Sequence, residues 1–181
     1  MHTKNSEENT FMKDFPTPNF STDLSGEVAL VTGATSGLGR RFARVLAVCG
    51  AKVAITGRRR ERLDALAGEI RGAGGECEPI PMDMTDRAQI RAGLDRTVQA
   101  LGEVTILVNN AGMADAQYAT KIDDQMFDQV MNTNLEGPWI LSCAVAERLM
   151  RAQRPGRIIN IASMAAFDIQ SRVPSALYST T

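Results

Sequence analysis

The stretch TGATSGLG, residues 32–39, decides the fold that this sequence predicts. It follows an apolar run, VALV at 28–31, and it precedes a segment with helical spacing. Its glycines, Gly33, Gly37 and Gly39, let the backbone turn tightly, and they let a pyrophosphate approach main-chain N–H groups at the start of a helix. The GxxxGxG spacing after a first strand therefore predicts a dinucleotide-binding loop.

Short apolar runs alternate with amphipathic stretches along the rest of the chain. The runs are KVAIT (52–56), CEPIPMD (77–83), TILVNN (105–110) and RIINIA (157–162). The helical stripes between them are Phe42, Val45, Leu46 and Cys49; Leu63, Leu66, Ala67 and Ile70; and Ile90, Leu94, Val98 and Leu101. A less regular stretch from about 123 to 150 predicts two more helices, broken near NTNLEGP. This alternation predicts an α/β fold with a doubly wound, Rossmann-like parallel sheet.

The composition predicts a cytoplasmic protein of one domain. The chain has 181 residues, of which 44% are apolar, so it can bury a sizeable core. A net charge of −1 gives no field that would attract nucleic acid or an anionic membrane, and no apolar run approaches the roughly 18 residues of a membrane span. We expect residues 1–24 to be a flexible leader and residues 25–181 to form a dinucleotide-binding Rossmann domain.

The positions of the cysteines and of the histidine limit the kinds of catalytic and metal site that this sequence predicts. Cys49, Cys77 and Cys143 lack the spacing of metal sites or disulfide frameworks, so we expect buried or neutral thiols. The only histidine is His2, in the predicted leader. Histidine-dependent hydrolysis and histidine-ligated zinc are therefore not expected within the fold, and no metal site is predicted.

The end of the second predicted strand favours one dinucleotide over the other. NAD-binding sites of this type hold the ribose hydroxyls with an acidic residue there, whereas an arginine accommodates the 2′-phosphate of NADP. This chain has Gly57 at that position, followed by Arg58, Arg59 and Arg60. The sequence therefore favours NADP(H), and the alternative is that the arginines only solvate the start of the next helix.

Six motifs, in order, resemble the short-chain dehydrogenase/reductase family. They are TGATSGLG (32–39), DMTD (83–86), NNAG (109–112), NTNLEG (132–137), GRIINIAS (156–163) and YSTT (178–181), the last of which is similar to the start of a YxxxK motif. The resemblance runs from about Gly26 to the last residue. It implies catalytic roles for Asn134, Ser163 and Tyr178. It also implies, with the glycine loop and the arginines, cofactor contacts at Gly33, Ser36, Gly37, Leu38, Gly39, Arg58, Arg59, Asp83, Met84, Asn110, Ala111 and Gly112.

Reasoning from the residues supports two of these catalytic roles. Ser163 follows a strand at the sheet edge where doubly wound folds bind ligands, so its hydroxyl can hydrogen-bond a substrate carbonyl. Tyr178 is the natural acid or base in a site without a histidine. Several alternatives stay open. They are a capping role for Asn134, a substrate contact by Ser171 or Ser175, a sheet-stabilising role for Asn109, the lesser candidate Asn132, and a place for Tyr118 at the site's mouth.

The implied reaction is hydride transfer between NADP(H) and a small alcohol or ketone substrate, with Tyr178 as general acid or base. In the family, a lysine four residues after the tyrosine assists it, and that position would be 182, one beyond Thr181. We therefore expect a fragment that lacks this lysine and the final strands and helices, with weak catalysis and poor stability. The incomplete sheet should have the order 3-2-1-4-5, with RIINIA as an apolar, aggregation-prone edge.

The resemblance further implies a homo-oligomer for the full-length form. Two rival functions remain beside the oxidoreductase: a non-catalytic, redox-sensing nucleotide-binding module and an inactive remnant. The presence of Asn134, Ser163 and Tyr178 together argues against a sensor, because a sensor needs none of the three for binding a nucleotide.

Overall fold

The computed structural model describes residues 21–115, 117–166 and 175–181. Most of the predicted leader, including His2, lies outside the described residues, and so does Ser171.

Five parallel strands form one sheet with the order β3-β2-β1-β4-β5. The strands are β1 (Val28–Val31), β2 (Lys52–Gly57), β3 (Cys77–Pro81), β4 (Ile106–Asn109) and β5 (Arg157–Asn160). Val28 is in register with Lys52 on one side, and Ala29 with Ile106 on the other. The predicted doubly wound sheet and its 3-2-1-4-5 order are confirmed.

Five α-helices connect or flank these strands. They are α1 (Gly37–Val48), α2 (Arg60–Gly72), α3 (Arg87–Leu101), α4 (Asp124–Met131) and α5 (Gly137–Arg151). Short 3₁₀ turns occur at Ala119–Lys121, Met164–Ala166 and Tyr178–Thr180. Within the described ranges, every helix is too short or too polar to cross a membrane.

Two apolar cores lie on opposite faces of the sheet, because successive strand residues point to opposite sides. Leu30 belongs to the core covered by α3 and α5, and its neighbour Val31 belongs to the core covered by α1 and α2. The predicted stripes of α2 and α3 lie in these cores, except that Val98 is only partly buried.

The predicted buried stripe of α1 is wrong in one position. Val45 is 41% exposed, and Phe42 and Leu46 are only partly buried. The fully buried residues of this helix are Gly39 and Ala43, one turn apart. Small side chains at these two positions let α1 approach the sheet closely, so the large apolar residues lie at the flanks of the contact.

The predicted break near NTNLEGP is a change of helix type. Residues Asn132–Glu136 form a π-helical turn that joins α4 directly to α5. Single π turns inside α-helices are rare and often occur at functional sites. The chain packs tightly directly after the turn, since a Cβ atom on Gly137, the first residue of α5, would overlap the carbonyl oxygen of Met84.

Strand β5 forms one edge of the sheet and is exposed along its length. Ile158 is 39% exposed and Ile159 is 45% exposed. The prediction that RIINIA provides an apolar edge strand is therefore confirmed.

Candidate active site

The start of α1 is open to an anion. Its N-cap residue, Ser36, has an extended backbone and makes no side-chain capping bond, and the first turn contains no acidic residue. Gly37 has a φ of +54°, and a Cβ atom added there would meet nothing within 4 Å. Because the first N–H groups of a helix lack intrahelical acceptors and carry partial positive charge, this end can bind a phosphate.

The other two glycines of the loop hold it against the end of β4. A Cβ atom on Gly33 would lie 2.7 Å from the Cα atom of Ala111, and one on Gly39 would lie 2.6 Å from the Gly33 oxygen. The same Cβ atom on Gly39 would overlap the amide nitrogen of Asn110, which donates to the oxygens of Thr32 (3.0 Å) and Gly33 (3.3 Å). Asn110 therefore stabilises the loop from below.

A cavity of about 390 Å³ lies between this loop and the ends of β2, β3 and β4. The predicted cofactor residues that line it are Gly33, Ser36, Arg58, Arg59, Asp83, Met84, Asn110, Ala111 and Gly112. Gly37 and Leu38 are not among its lining residues: Gly37, next to Ser36, lies at an adjoining cavity between α1 and α2, and Leu38 lies at a second cavity.

Gly57 and two arginines form one end of this cavity. A Cβ atom on Gly57 would lie 2.8 Å from the Thr35 methyl group. Arg59 donates to the Thr35 hydroxyl at 2.7 Å, whereas Arg60 points along α2 and pairs with Asp64 at 3.0 Å. Arg59 is thus held at the cavity, and Arg60 is occupied on the helix.

Two residues of this cavity were missed by the sequence analysis. Thr35 holds Arg59, and Thr56 is only 1% exposed, with a hydroxyl oxygen that has no hydrogen-bond partner among the described residues. Thr56 directly precedes Gly57 at the end of β2, and this position at a strand's carboxyl end is the signal that could have identified it.

The segment after β3 has a fixed conformation. The Asp83 carboxylate accepts from the main-chain N–H and the hydroxyl of Thr85, both at 3.0 Å, and the Asp83 N–H donates to Gln89 at 3.1 Å. Met84 is 6% exposed. These bonds hold the segment at the side of the cavity opposite the glycine loop.

A second cavity, of about 900 Å³, adjoins the first. It is lined by the three predicted catalytic residues, Asn134, Ser163 and Tyr178, which come from the π turn, the end of β5 and the last 3₁₀ turn. Residues 110–113 line both cavities, so the predicted cofactor and catalytic residues share one floor.

The side chain of Asn134 bridges three segments. Its amide oxygen accepts from the N–H of Met113 at 2.9 Å, and its nitrogen donates to the Met113 oxygen at 2.9 Å and to the Thr181 hydroxyl at 3.0 Å. Ser163 accepts from the N–H of Ala165 at 3.2 Å. The structure thus uses the Asn134 amide to fix the floor of the cavity, while the Ser163 hydroxyl can still donate.

A sequence model described as short chain dehydrogenase matches residues 27–181. The chain belongs to this family. A 3-oxoacyl-(acyl-carrier-protein) reductase of Thermotoga maritima is 35% identical over 141 residues, which are 78% of this chain and 57% of the relative. A D-threitol dehydrogenase of Mycolicibacterium smegmatis is 36% identical over 148 residues, 82% of this chain and 56% of the relative.

The fold agrees with solved structures of the same family. The crystal structure of a metagenomic short-chain oxidoreductase in complex with NADP has a TM-score of 0.80 and 37% identity, covering 88% of this chain and 71% of that one. The chain spans a little over half the length of the two curated relatives.

The remaining polar candidates from the sequence have different surroundings. Asn109 is 4% exposed and donates to Ser142 (2.9 Å) and Asn160 (2.8 Å), so it joins β4 to α5 and β5. Tyr118 is 71% exposed and is absent from the lining of either cavity. Ser175 forms a hydrogen bond within its own turn, where its main-chain carbonyl oxygen accepts from the main-chain N–H of Ser179 at 2.9 Å.

The thiols differ in their exposure. Cys77 is buried, and this burial raises its pKa to about 12, whereas Cys143 is exposed. Among the residues that the structure describes, no group of three His, Cys, Asp or Glu side chains is close enough to hold a metal ion.

Proposed function

We propose that this protein is an NADP(H)-dependent alcohol dehydrogenase or ketone reductase. The observation that carries the proposal is the shared floor of the two cavities at residues 110–113. It joins an anion-binding loop and an arginine on one side to Ser163 and Tyr178 on the other. A nucleotide held in the first cavity and a small molecule in the second would therefore be neighbours.

The residues of the first cavity fit a dinucleotide. The uncapped start of α1 and the open space at Gly37 would hold the pyrophosphate, and the cavity between Asp83 and Met84 on one side and Thr56 on the other would hold the adenosine.

Arg59 and Gly57 support NADP(H) over NAD(H). Arg59 is held at the cavity by Thr35, and the chain has Gly57 at the position where an acidic residue binds the ribose of NAD. An arginine beside a phosphate forms charge-assisted hydrogen bonds, which are stronger than neutral ones.

The proton chemistry is assigned to Tyr178, with Ser163 as the hydrogen-bond donor that orients a substrate oxygen. When bound, the nicotinamide of the cofactor supplies the hydride acceptor or donor. Tyr178 gives a proton to the substrate oxygen in reduction and takes it in oxidation, and Asn134 fixes the floor that both residues face. The substrate class is a small alcohol or ketone.

The cofactor proposal is tested by titration with NADPH and NADH, followed by the fluorescence of the single tryptophan, Trp139, which lines the second cavity. Arg59→Ala should weaken NADPH binding about ten- to a hundredfold, the value of a hydrogen bond to a charged group, and leave NADH binding unchanged. Arg60→Ala is the matched control, because Arg60 pairs with Asp64. Tighter binding of NADH than of NADPH by the unchanged protein would refute the preference.

The catalytic proposal is tested by reduction of a 3-oxoacyl thioester with NADPH and by oxidation of D-threitol with NADP⁺. Tyr178→Phe should abolish turnover and keep NADPH binding, while Tyr118→Phe, which removes an exposed phenol, should change neither. A Tyr178→Phe variant that turns over substrate as fast as the unchanged protein would overturn the catalytic proposal.

The exposed face of α5 supports the proposed homo-oligomer. Leu135 of the π turn and Trp139 and Met150 of α5 lie at helical spacing and are exposed, with Trp139 at 70%. A second copy could cover this stripe. Sedimentation velocity over a range of concentrations tests it, and a monomer at every concentration would contradict it.

A further inference from the structure

Asp115, six residues after β4, is a buried carboxylate that the sequence motifs do not single out. It is only 3% exposed. Its Oδ1 atom accepts a hydrogen bond from the main-chain N–H of Tyr178 at 2.9 Å, although the two residues are 63 positions apart in the chain. The bond therefore joins the segment that follows the floor of the cavities to the residue that carries the proposed proton chemistry.

Among the residues that the structure describes, the Tyr178 N–H finds its acceptor outside its own turn. The bonds that close this turn run from Ser179 N–H to Ser175 O (2.9 Å) and from Thr180 N–H to Leu177 O (3.0 Å). The first N–H groups of a helical segment have no acceptor within it. A carboxylate is a strong acceptor for such a group, and the low polarity of a buried site makes the bond stronger.

Two further contacts hold the same turn. Leu177 is 7% exposed, so it anchors the turn in the apolar interior. The Thr181 hydroxyl accepts a hydrogen bond from the Asn134 side-chain nitrogen and donates one to the main-chain carbonyl oxygen of Tyr178, both at 3.0 Å. Asn134 also clamps Met113, two residues before Asp115. The segment from Met113 to Asp115 thus connects the π turn with the tyrosine turn.

We propose that Asp115 is a positioning residue for Tyr178: its buried carboxylate fixes the main chain of the tyrosine and so directs the phenol into the second cavity. This inference rests on the proposed function of Tyr178. Asp115 does not itself touch a substrate or a cofactor in this role. It acts only through the turn that it holds.

The bond can be observed directly, because the chain contains two tyrosines and ¹⁵N-tyrosine labelling gives two amide signals. Tyr118→Phe assigns them. Asp115→Ala should speed hydrogen exchange of the Tyr178 amide about ten- to a hundredfold and leave the Tyr118 amide unchanged. Asp115→Asn keeps a neutral acceptor in the same place, so its exchange rate should lie between the two.

Asp123→Ala is the matched control. Asp123 also accepts a main-chain bond through its carboxylate, from Met126 at 2.8 Å, but it caps α4 and does not contact the tyrosine turn. It should not change exchange at Tyr178. If Asp115→Ala does not fold, Asp115→Asn provides the test. Replacing the carboxylate weakens the bond, so the NMR signal of the Tyr178 amide proton should move upfield. An unchanged signal would overturn the proposal.

Turnover provides the functional readout. With a substrate that the unchanged protein converts, Asp115→Ala should lower kcat about ten- to a hundredfold and leave the dissociation constant of NADPH unchanged, and Asp115→Asn should restore part of kcat. Unchanged kcat with fast exchange at Tyr178 overturns the positioning role. Failure of the proposed function is distinct, because then Tyr178→Phe itself has no effect on turnover.

Discussion

Gly39→Ala should destabilise the protein through one identifiable overlap. The added methyl group would lie 2.6 Å from the Gly33 oxygen and would overlap the side-chain nitrogen of Asn110. Neither neighbour can retreat easily, since Gly33 itself lies against the backbone of Ala111 and Asn110 is held by two hydrogen bonds.

The magnitude follows from these contacts. Overpacking a tight site costs about 1–3 kcal/mol, and each of the two Asn110 hydrogen bonds contributes about 1 kcal/mol. The free energy of unfolding should therefore fall by about 2–5 kcal/mol when the bonds are lost or distorted. For a domain of this size, each kcal/mol lowers the melting temperature by about 2–4 °C, so we expect a decrease of about 5–20 °C.

Gly37→Ala, two residues earlier in the same loop, is the control. A Cβ atom at Gly37 meets nothing within 4 Å, so the only cost is the positive φ of +54°, about 1–2 kcal/mol. Its methyl group would, however, stand in the open space at the start of α1. We expect Gly37→Ala to weaken NADPH binding more than tenfold with a small change in stability.

Urea unfolding followed by circular dichroism gives the stability, and titration with NADPH gives the affinity. The two variants should separate, with Gly39→Ala losing mainly stability and Gly37→Ala losing mainly affinity. Equal stability losses in the two variants, or a Gly39→Ala protein as stable as the unchanged one, would refute the assignment of these glycines.

Two further predictions concern titratable groups. The main-chain N–H of Gln89 lowers the pKa of Asp86, the cap of α3, so the cap stabilises the fold fully above about pH 4 and loses this effect as the pH falls below that value. Asp86→Ala should therefore lower the melting temperature at pH 7 but not at about pH 2. An equal decrease at the two pH values would contradict the role of the cap. Iodoacetamide at neutral pH should modify exposed Cys143 well before buried Cys77, whose pKa of about 12 keeps it protonated; peptide mass spectrometry checks the order, and equal rates in the folded protein would contradict it.

The fold could be predicted from the sequence because strands and helices each leave a local spacing of apolar residues. Buried parallel strands are apolar on both faces, and the glycine loop marks the first crossover, so the sheet order and the position of the cofactor cavity could be expected. The buried stripes of α2 and α3 were also predictable, because large apolar residues at i and i+3 or i+4 face the core there.

The features that the sequence did not predict depend on contacts between distant segments. The buried face of α1 is set by Gly39 and Ala43, and small residues give a weak signal in a pattern of large apolar ones. Asp115 is one acidic residue in a loop, and only the fold brings it to Tyr178. The π turn, too, is a difference of one residue per turn that composition does not reveal.

The π turn at Asn132–Glu136 holds one extra residue in the helix that runs from α4 into α5. An α-helix advances about 100° per residue and a π turn advances less, so deletion of one residue from the turn would leave a regular helix with α5 in nearly the same orientation. Leu141, Val145 and Leu149 would then stay in the core, while the wide turn that carries Asn134 would be lost. A single-codon deletion at 132–136 should therefore cost a descendant of this gene its site rather than its fold, whereas a deletion inside α5 would rotate the core residues that follow it by about 100°.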